Sequence, residues 1–449
     1  MLNGPRLKRL FALILFALIV LASPLAGANY ILAFTPQANV GLLGSKYGFQ
    51  ILRTLGDDSN RGSVLISTIA PLDTAGLAAF RAEAGVLEVE PDAALHPAET
   101  ESASKKAIAL ETLGDVLSTR GAMNYFGAQV RQGYVSQRGT AVVRLSEAQA
   151  SFGAGAGVVA IIDTGVDTSH PALSAALVPG YDFTRNRADT VSELSDLDQS
   201  TVVILDSSAQ ASLDSKFIPI PLDQSTVVIL DQSTVVILDT TKLPKAFGHG
   251  TMVAGLVHLV APTARIMPLK AFRADGSANL SDIVRAIRYA ADNGANVISM
   301  SFDTEVFSAE LQAAVAYAQS KGSILIASSG NKGVGTAVYP AALPQVIGVG
   351  SVNYSDRRSP FSNYDRSART SAPGEALITT FPGNNYAGVW GTSFSAGLVS
   401  GAVALMRQLQ PNLHLDSLKD CLDAGVHIDQ NMGDARLDLV RSLTGCRGD

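Results

Sequence analysis

The strongest constraint on the fold is an alternation of short apolar runs and amphipathic segments that begins near residue 153. Runs such as VVAIID, ARIMPLKAF, NVISMSF and SILIASSG are apolar and rich in β-branched residues, which predicts buried strands. Between them, SDIVRAIRYAADNG and SAELQAAVAYAQSKG predict helices that begin at a serine cap and end at a glycine. This order indicates an α/β fold, with a mostly parallel sheet and helices on both of its faces.

A smaller domain precedes this region. Between residues 29 and 95, YILAF, FQILRTL and SVLIST read as strands, and LDTAGLAAFRAEAG reads as a helix capped by Asp73 or Thr74. They predict a compact α+β domain at 29–95. Residues 96–150 begin with a polar stretch and show no clear period, so we assign them to a linker and the start of the main domain, which we place at 151–446.

The N-terminus predicts secretion. Arg6, Lys8 and Arg9 precede an apolar run that is followed by the small residues of SPLAGA, as in a signal peptide that ends at Ala28. The apolar run is shorter than the roughly 20 residues that span a bilayer, although an uncleaved anchor is the alternative. We therefore expect residues 1–28 to be a signal peptide and the protein to be extracellular or periplasmic.

Composition excludes other classes of protein. Hydrophobic residues make up 47% of the chain and charged residues 16%, which excludes a highly charged disordered chain. The net charge of -6 provides no basic face for nucleic acid, so we expect no such partner.

Neither the cysteines nor the histidines have the spacing of metal ligands. In an oxidising compartment Cys421 and Cys446 are expected to form one disulfide, and two free thiols are the alternative. The isolated histidines are interpreted as structural: His170, His258, His414 and His427.

Polar side chains in glycine-rich surroundings follow predicted strands or open predicted helices. Asp163 ends VVAIID, His249 lies in GHGTMVAG, and Ser393 lies in GTSFSAG. Active sites of parallel sheets lie outside the carboxyl ends of the strands, so these side chains are candidates for one site. A serine nucleophile needs a base, and the base needs an orienting carboxylate. Asn331, after SILIASSG, adds a side-chain amide that can donate to an oxyanion.

The motifs AIIDTGVDTSHPAL, GHGTMVAG, SSGN, SAPG and GTSFSA resemble those of the subtilisin-type serine proteases over about 153–440. The resemblance implies a triad in which Asp163 orients the base, His249 is the general base and Ser393 is the nucleophile. It also implies that Asn331 stabilises the oxyanion. The chain order Asp, His, Ser differs from that of the chymotrypsin type and the α/β-hydrolase type.

The same resemblance also implies which residues bind substrate and what the first domain does. It implies a substrate-binding role for Ser301, Phe302, Asp303, Ser329 and Gly330. Residues 29–95 resemble the inhibitory, folding-assisting propeptide of such proteases. Together these features imply a secreted endopeptidase made as an autoprocessed precursor. Its partners would be protein or peptide substrates and its own propeptide, an intramolecular inhibitor, and we expect a monomer.

Three positions depart from the family pattern. Ala172 stands where the family often has an acidic calcium ligand, so a structural calcium is unsupported, and we expect no metal and no cofactor. Gly397 replaces a proline, which we expect to loosen the start of its helix. Asp303 lies in SFD, where SLG is usual; it either favours basic substrate residues or turns outward to solvent, and we favour the outward orientation.

An eight-residue unit, DQSTVVIL, occurs three times between residues 198 and 239. The triad chemistry does not need this segment, so we interpret it as an insert at a loop, with strand-forming copies that pair with one another or lie against the protein surface. Two alternative functions follow. Besides the secreted endopeptidase, the chain could be a catalytically weak or inactive relative that binds peptides, or a repeat-bearing self-assembly protein with an autoprocessing domain.

Overall fold

The computed structural model describes residues 27–97, 121–197, 228–230, 235–236, 243–364, 367–428 and 431–447. Nearly all of the expected signal peptide at 1–28, and most of the repeat segment at 198–239, lie outside these ranges. Within them, no helix combines the length and apolar character needed to cross a membrane. The chain forms two compact units, and the boundary falls between Asp92 and Ala93, close to the boundary expected at residue 95.

The first unit is a four-stranded antiparallel sheet with two helices. Its elements are β1 (Ala28–Phe34), α1 (Val40–Tyr47), β2 (Phe49–Asp58), β3 (Arg61–Thr68), α2 (Thr74–Arg81) and β4 (Val86–Pro91). The strand order is β2-β3-β1-β4. Asp73 caps α2 by accepting the backbone N–H of Gly76, which selects between the two caps that the sequence allowed. Tyr30, Leu32 and Phe80 lie in the small core of this unit.

The second unit begins with short elements and then builds a large sheet. The first are β5 (Ala94–Pro97), β6 (Ala122–Tyr125), β7 (Ala128–Arg131), α3 (Gln132–Val135), α4 (Arg138–Val142), α5 (Leu145–Phe152), β8 (Val158–Asp163) and β9 (Tyr181–Asp182). The next are β10 (Val228–Leu230), β11 (Val235–Val236), α6 (His249–Val260), β12 (Arg265–Lys270), β13 (Ala278–Asn279), α7 (Leu280–Asp292), β14 (Val297–Met300) and β15 (Phe302–Asp303). The last are α8 (Ala309–Ser320), β16 (Ile324–Ser328), β17 (Val346–Val352), β18 (Thr370–Pro373), β19 (Leu377–Phe381), β20 (Asn385–Val389), α9 (Thr392–Leu409), α10 (Leu415–Asp423), β21 (Val426–His427), β22 (Ala435–Arg436) and α11 (Leu439–Cys446).

The main sheet has nine strands in the order β21-β22-β18-β17-β16-β14-β8-β12-β9. From β18 to β9 every neighbouring pair is parallel, and only β21 and β22 pair antiparallel. Every residue of β14, β16 and β17 is buried, as expected for strands covered on both faces. The predicted mostly parallel sheet flanked by helices is therefore confirmed.

Helices α6 and α9 approach each other closely because glycines occupy the contact. A Cβ on Gly401 would lie 2.6 Å from Cβ of Val260, and a Cβ on Gly397 would lie 3.3 Å from Cβ of Leu256. The sequence predicted a loosened helix start at Gly397. In the structure α9 runs without a break from Thr392 through this residue, and the missing side chain leaves room for α6.

Two further expectations concern the C-terminal region and the repeat. Cys421 of α10 and Cys446 of α11 form the expected disulfide, and closing a loop of 25 residues stabilises the fold by about 3 kcal/mol in the chain-entropy model.

Two copies of the repeat contribute β10 and β11, and β10 pairs antiparallel with β20 in a sheet ordered β11-β10-β20-β19. These copies therefore extend the β19–β20 hairpin of the second unit.

We predict that Gly401→Ala destabilises the protein more than Gly397→Ala does. Both changes increase helix propensity by up to about 1 kcal/mol, so they differ mainly in packing. The methyl group at 401 would overlap Val260, and overpacking of this kind typically costs roughly 1–3 kcal/mol. Urea unfolding of the inhibited protein measures both free energies. Equal stabilities for the two variants would contradict this account of the helix contact.

Candidate active site

The carboxylate of Asp163 and the imidazole of His249 form a buried pair. Asp163 is the last residue of β8, and His249 is the first residue of α6. Nδ1 of His249 lies 2.7 Å from Oδ1 of Asp163, which also accepts the backbone N–H of Thr164 at 2.7 Å. A neutral imidazole that donates Nδ1–H to a carboxylate keeps Nε2 as its basic nitrogen, which is the arrangement that a general base requires.

Glycine is required where α6 meets the loop after β8. A Cβ on Gly250 would lie 2.1 Å from the carbonyl oxygen of Gly165 and 3.1 Å from Cβ of Asp163. Gly248, before the histidine, has a φ of 87°, a conformation that residues with a side chain rarely adopt. The glycines on both sides of His249 therefore allow the approach that joins the imidazole to the carboxylate.

Ser393 lies at the start of α9, in the same part of the unit. Its side chain is fully buried, and its Oγ lies 3.5 Å from the carbonyl oxygen of Ser301. The ring of the next residue, Phe394, is 5.7 Å from the ring of His249, centroid to centroid. The N-terminus of α9 thus adjoins the Asp163–His249 pair. Backbone N–H groups at such an end lack intrahelical acceptors and favour negative charge.

The side chain of Asn331 contacts the same helix end. It lies shortly after β16, and its Oδ1 accepts the backbone N–H of Thr392 at 2.9 Å. Because this bond fixes the acceptor end of the amide, the amide nitrogen is the end that can donate to a substrate oxygen. The predicted quartet of Asp163, His249, Ser393 and Asn331 is therefore brought together at one edge of the sheet.

The residues predicted to bind substrate occur in two neighbouring stretches. Ser301 touches Ser393 through backbone and hydroxyl groups, whereas the Phe302 ring is fully buried and packs on Phe272 at 5.3 Å. Phe302 can therefore meet a substrate only through its backbone. In the second stretch, Ser329 and Gly330 are buried between β16 and Asn331.

Asp303 differs from the favoured expectation. Its carboxylate oxygen Oδ2 lies 2.7 Å from the point where a Cβ on Gly330 would stand, and the residue is half-buried. The side chain therefore leans towards Gly330, so the prediction that it turns outward to solvent is wrong. The absence of a side chain at Gly330 leaves the space that the carboxylate occupies.

Sequence reasoning missed a buried acid behind the pair. Glu193 is fully buried and bonds to the hydroxyls of Thr164 and Thr251 and to the backbone N–H of Gly250. Burial raises its pKa to about 7 and the charge of Asp163 adds to the rise, while the two hydroxyl bonds and the charge of Lys270 oppose it. A single glutamate in a loop has no periodicity, and the only available signal was its position between two motifs.

His170 and His258, which lie outside the pair, are both buried. Nε2 of the buried His170 lies 3.0 Å from the carbonyl oxygen of Asn385, and burial lowers its pKa. Burial also lowers the pKa of His258 to about 4, so this ring is neutral at physiological pH. Ala172, at the position of the doubtful calcium ligand, is buried. The described ranges contain no group of three or more His, Cys, Asp or Glu residues able to hold a metal.

The sequence comparisons agree with this geometry. Residues 155–431, more than half of the chain, match the sequence model of the Subtilase family. The chain belongs to the subtilase family, which confirms the predicted resemblance.

Individual relatives support the same assignment. The chain is 34% identical over 248 residues to a thermophilic serine proteinase of Bacillus sp. (strain AK1), a match that covers 55% of this chain and 51% of the relative. It is 31% identical over 258 residues to thermitase of Thermoactinomyces vulgaris, covering 55% of this chain and 74% of thermitase. The chain thus spans about half the length of the first relative.

The fold is similar to that of a solved structure. Fervidolysin from Fervidobacterium pennivorans, described as a keratinolytic enzyme related to subtilisin, superposes with a TM-score of 0.67 at 18% sequence identity. The superposition covers 94% of this chain and 62% of fervidolysin. At this identity the similarity supports the fold.

Proposed function

We propose that this chain is a secreted serine endopeptidase that hydrolyses peptide bonds through an acyl-enzyme intermediate. The observation that carries the proposal is the buried 2.7 Å pair of Asp163 and His249 beside the N-terminus of α9, where Ser393 lies. Three residue types that serine hydrolysis requires converge there, each held by a different element of one sheet-based scaffold. Membership of the subtilase family supports the same chemistry.

The reaction needs only side chains and backbone groups of this chain, without a cofactor. His249 Nε2 removes the Ser393 hydroxyl proton while Oγ attacks the substrate carbonyl carbon. The resulting oxyanion accepts hydrogen bonds from the Asn331 amide and from backbone N–H at the start of α9. The imidazolium then protonates the leaving amine as the C–N bond breaks. Water, deprotonated by His249, releases the acid product and regenerates Ser393.

Substrate would bind as an added strand. The backbone of β15 pairs antiparallel with β5, and β5 also pairs with β13, so a short extended segment lies between them. Main-chain hydrogen bonds of this kind hold a peptide in register whatever its sequence. Leu95 of β5 is buried, which supports an apolar pocket for one substrate side chain. Proteins and peptides are the proposed substrates.

The position of β5 in the chain supports a precursor form. β5 begins shortly after β4, the last strand of the first unit, and it occupies the edge that a substrate strand would use. Residues 29–95 are therefore proposed to act as a propeptide that blocks the site until it is removed. The disulfide between Cys421 and Cys446 supports an oxidising compartment, in keeping with the predicted signal peptide.

We predict that Ser393→Ala abolishes casein hydrolysis and leaves the precursor uncleaved, because the nucleophile is lost. Ser400→Ala is a matched control, since this buried hydroxyl in the same helix bonds to the hydroxyl of Ser299, and its loss should leave processing intact. Gel electrophoresis follows processing, and labelling with an organophosphorus fluoride reports on the hydroxyl. Unchanged processing of the purified Ser393→Ala variant would refute Ser393 as the nucleophile, and no labelling of the wild type would favour the peptide-binding alternative.

Asn331→Ala should reduce kcat by roughly 10²–10³, because one oxyanion donor is lost, with little change in KM. Steady-state hydrolysis of a peptide ester measures both constants. Asn353→Ala removes an amide that organises the loop at Ser355 and Arg357, so it serves as the control. A change confined to KM would assign Asn331 to ground-state binding.

The register of β5 predicts the processing site. Pro97 pairs with Phe302, and the preceding residue of the partner strand is Ser301, whose carbonyl oxygen lies 3.5 Å from Ser393 Oγ. We expect a substrate bound in this antiparallel register to present for attack the residue that follows the one opposite Phe302. We therefore expect autoprocessing between Ala98 and Glu99, so that mass spectrometry finds a mature N-terminus at Glu99.

A matched pair of variants tests the register. Ala98→Asp should slow processing strongly, whereas Ala93→Asp, at an exposed position upstream of β5, should not. A first cut at a bond distant from Ala98–Glu99 in an active wild type would refute this register, and the proposed hydrolytic function would still stand.

A further inference from the structure

Glu193 is a fully buried carboxyl group that the proposed triad chemistry does not use. It opens a 3₁₀ turn at Glu193–Asp196, in the chain between the two partners of the Asp163–His249 pair. Its Oε1 accepts the backbone N–H of Gly250 at 3.0 Å, directly after His249. Its Oε2 accepts the hydroxyl of Thr251. The carboxylate is therefore bound to the first turn of α6, which holds the imidazole.

The same carboxylate contacts the residue that follows Asp163. Oγ1 of Thr164 forms a hydrogen bond with Oε1 of Glu193 and lies 3.2 Å from Oδ1 of Asp163. It also accepts the backbone N–H of Gly250 at 3.0 Å. A hydroxyl has one proton, so Thr164 can donate to Glu193 or to Asp163 but not to both. The state of Glu193 therefore decides which carboxylate receives this hydrogen bond.

We propose that Glu193 is a positioning residue for the catalytic pair and acts on Asp163 through the hydroxyl of Thr164. The proposal rests on the proposed function, since it assigns the pair a catalytic role. When Glu193 is ionised, Thr164 donates to it, and the Asp163 charge remains directed at His249. When Glu193 is protonated, its O–H donates to Thr164, and the Thr164 hydroxyl turns to Asp163. The two states differ by one proton on the Glu193 carboxylate and by a rotation of the Thr164 hydroxyl.

Burial of Glu193, followed by its hydrogen bonds and the surrounding charges, sets the pH at which this carboxylate gains its proton. The charges of Asp163, at the end of β8, and Lys270, at the end of β12, act on Glu193, and His249 at the start of α6 precedes Gly250, whose N–H binds the carboxylate. Lys270 is fully buried and lies 2.7 Å from Asp196, on the same turn as Glu193. Burial raises the pKa of Glu193 to about 7, so its ionisation falls within the pH range in which a histidine base titrates.

The sign of the effect follows from the hydrogen bonds. Ionised Glu193 leaves Asp163 without the Thr164 proton, so the carboxylate stabilises an imidazolium more strongly. A neutral group at 193 removes one negative charge and also frees Thr164 to donate to Asp163. Both changes disfavour the charged form of His249. Glu193→Gln should therefore lower the pH at which His249 titrates.

Nuclear magnetic resonance of the His249 ring in the full chain tests the proposal without hydrolysis. All samples carry Ser393→Ala to prevent autolysis, and the signal is assigned by its loss in His249→Ala. We expect Glu193→Gln to lower the titration midpoint by roughly half a pH unit or more. In a Thr164→Val background the same change should lower it by less than half as much. Thr164→Ser, which keeps the hydroxyl, should restore the full difference.

If Glu193→Gln shifts the His249 titration midpoint equally with Thr164 present and in the Thr164→Val background, Glu193 acts only through its charge and not through the Thr164 hydroxyl. That result would overturn the proposal. So would the absence of any shift. If Glu193→Gln does not fold, Thr251→Val provides a second measurement, because losing the bond to Oε2 should move the Glu193-dependent step in the His249 signal to higher pH. A step that stays in place would also count against the proposal.

Kinetics in the otherwise wild-type chain provide the functional readout. The acid limb of kcat/KM for a peptide ester should move to lower pH in Glu193→Gln, with KM nearly unchanged. Glu310→Gln, which alters a buried glutamate on α8, is the matched control and should leave the limb in place. An inactive wild type would refute the proposed function but would leave the resonance result on Glu193 intact.

Discussion

The close crossing of α6 and α9 is the contact on which the rest of the second unit depends. His249 is the first residue of α6 and Ser393 the second residue of α9, so the distance between the helix axes fixes the distance between base and nucleophile. Glycines at the crossing allow that distance, and a methyl group at Gly401 would push the helices apart. The packing of α6 against α9 therefore also determines the geometry of the site.

Much of the fold and the main residues of the site could be predicted from the sequence, because they depend on local patterns. Apolar runs alternating with capped helices define a parallel sheet, and Asp163, His249 and Ser393 each lie in a glycine-rich motif where an element begins or ends. The cap of α2 was narrowed to Asp73 or Thr74 by a similar local rule, whereas the disulfide between Cys421 and Cys446 was expected from the cysteine count and an oxidising compartment. The strand and helix pattern, the glycine-rich motifs and the helix cap each depend on a few neighbouring residues, so contacts with distant segments changed them little.

The remaining features depend on contacts between distant segments. Glu193 joins the loop after β8 to the first turn of α6, and no pattern near residue 193 indicates those partners. The orientation of Asp303 is set by space that Gly330 leaves open on another stretch. Gly397 was interpreted through its own helix alone, although its neighbour on α6 determines why a glycine fits there. In each case the deciding atom belongs to a residue far away in sequence.

The pairing of β10 with β20 has a consequence for how the chain tolerates changes in its own length. Val228 lies opposite Gly388 and Leu230 opposite Tyr386, and backbone pairing of this kind does not depend on which copy of the repeat supplies the strand. Each copy contains STVVIL, and the unit has an even number of residues. A shift by one unit therefore restores the same side chains on the same face. The two copies that supply β10 and β11 are therefore equivalent as strands, so removal of one eight-residue unit would shorten the loop and leave an equivalent strand to pair with β20.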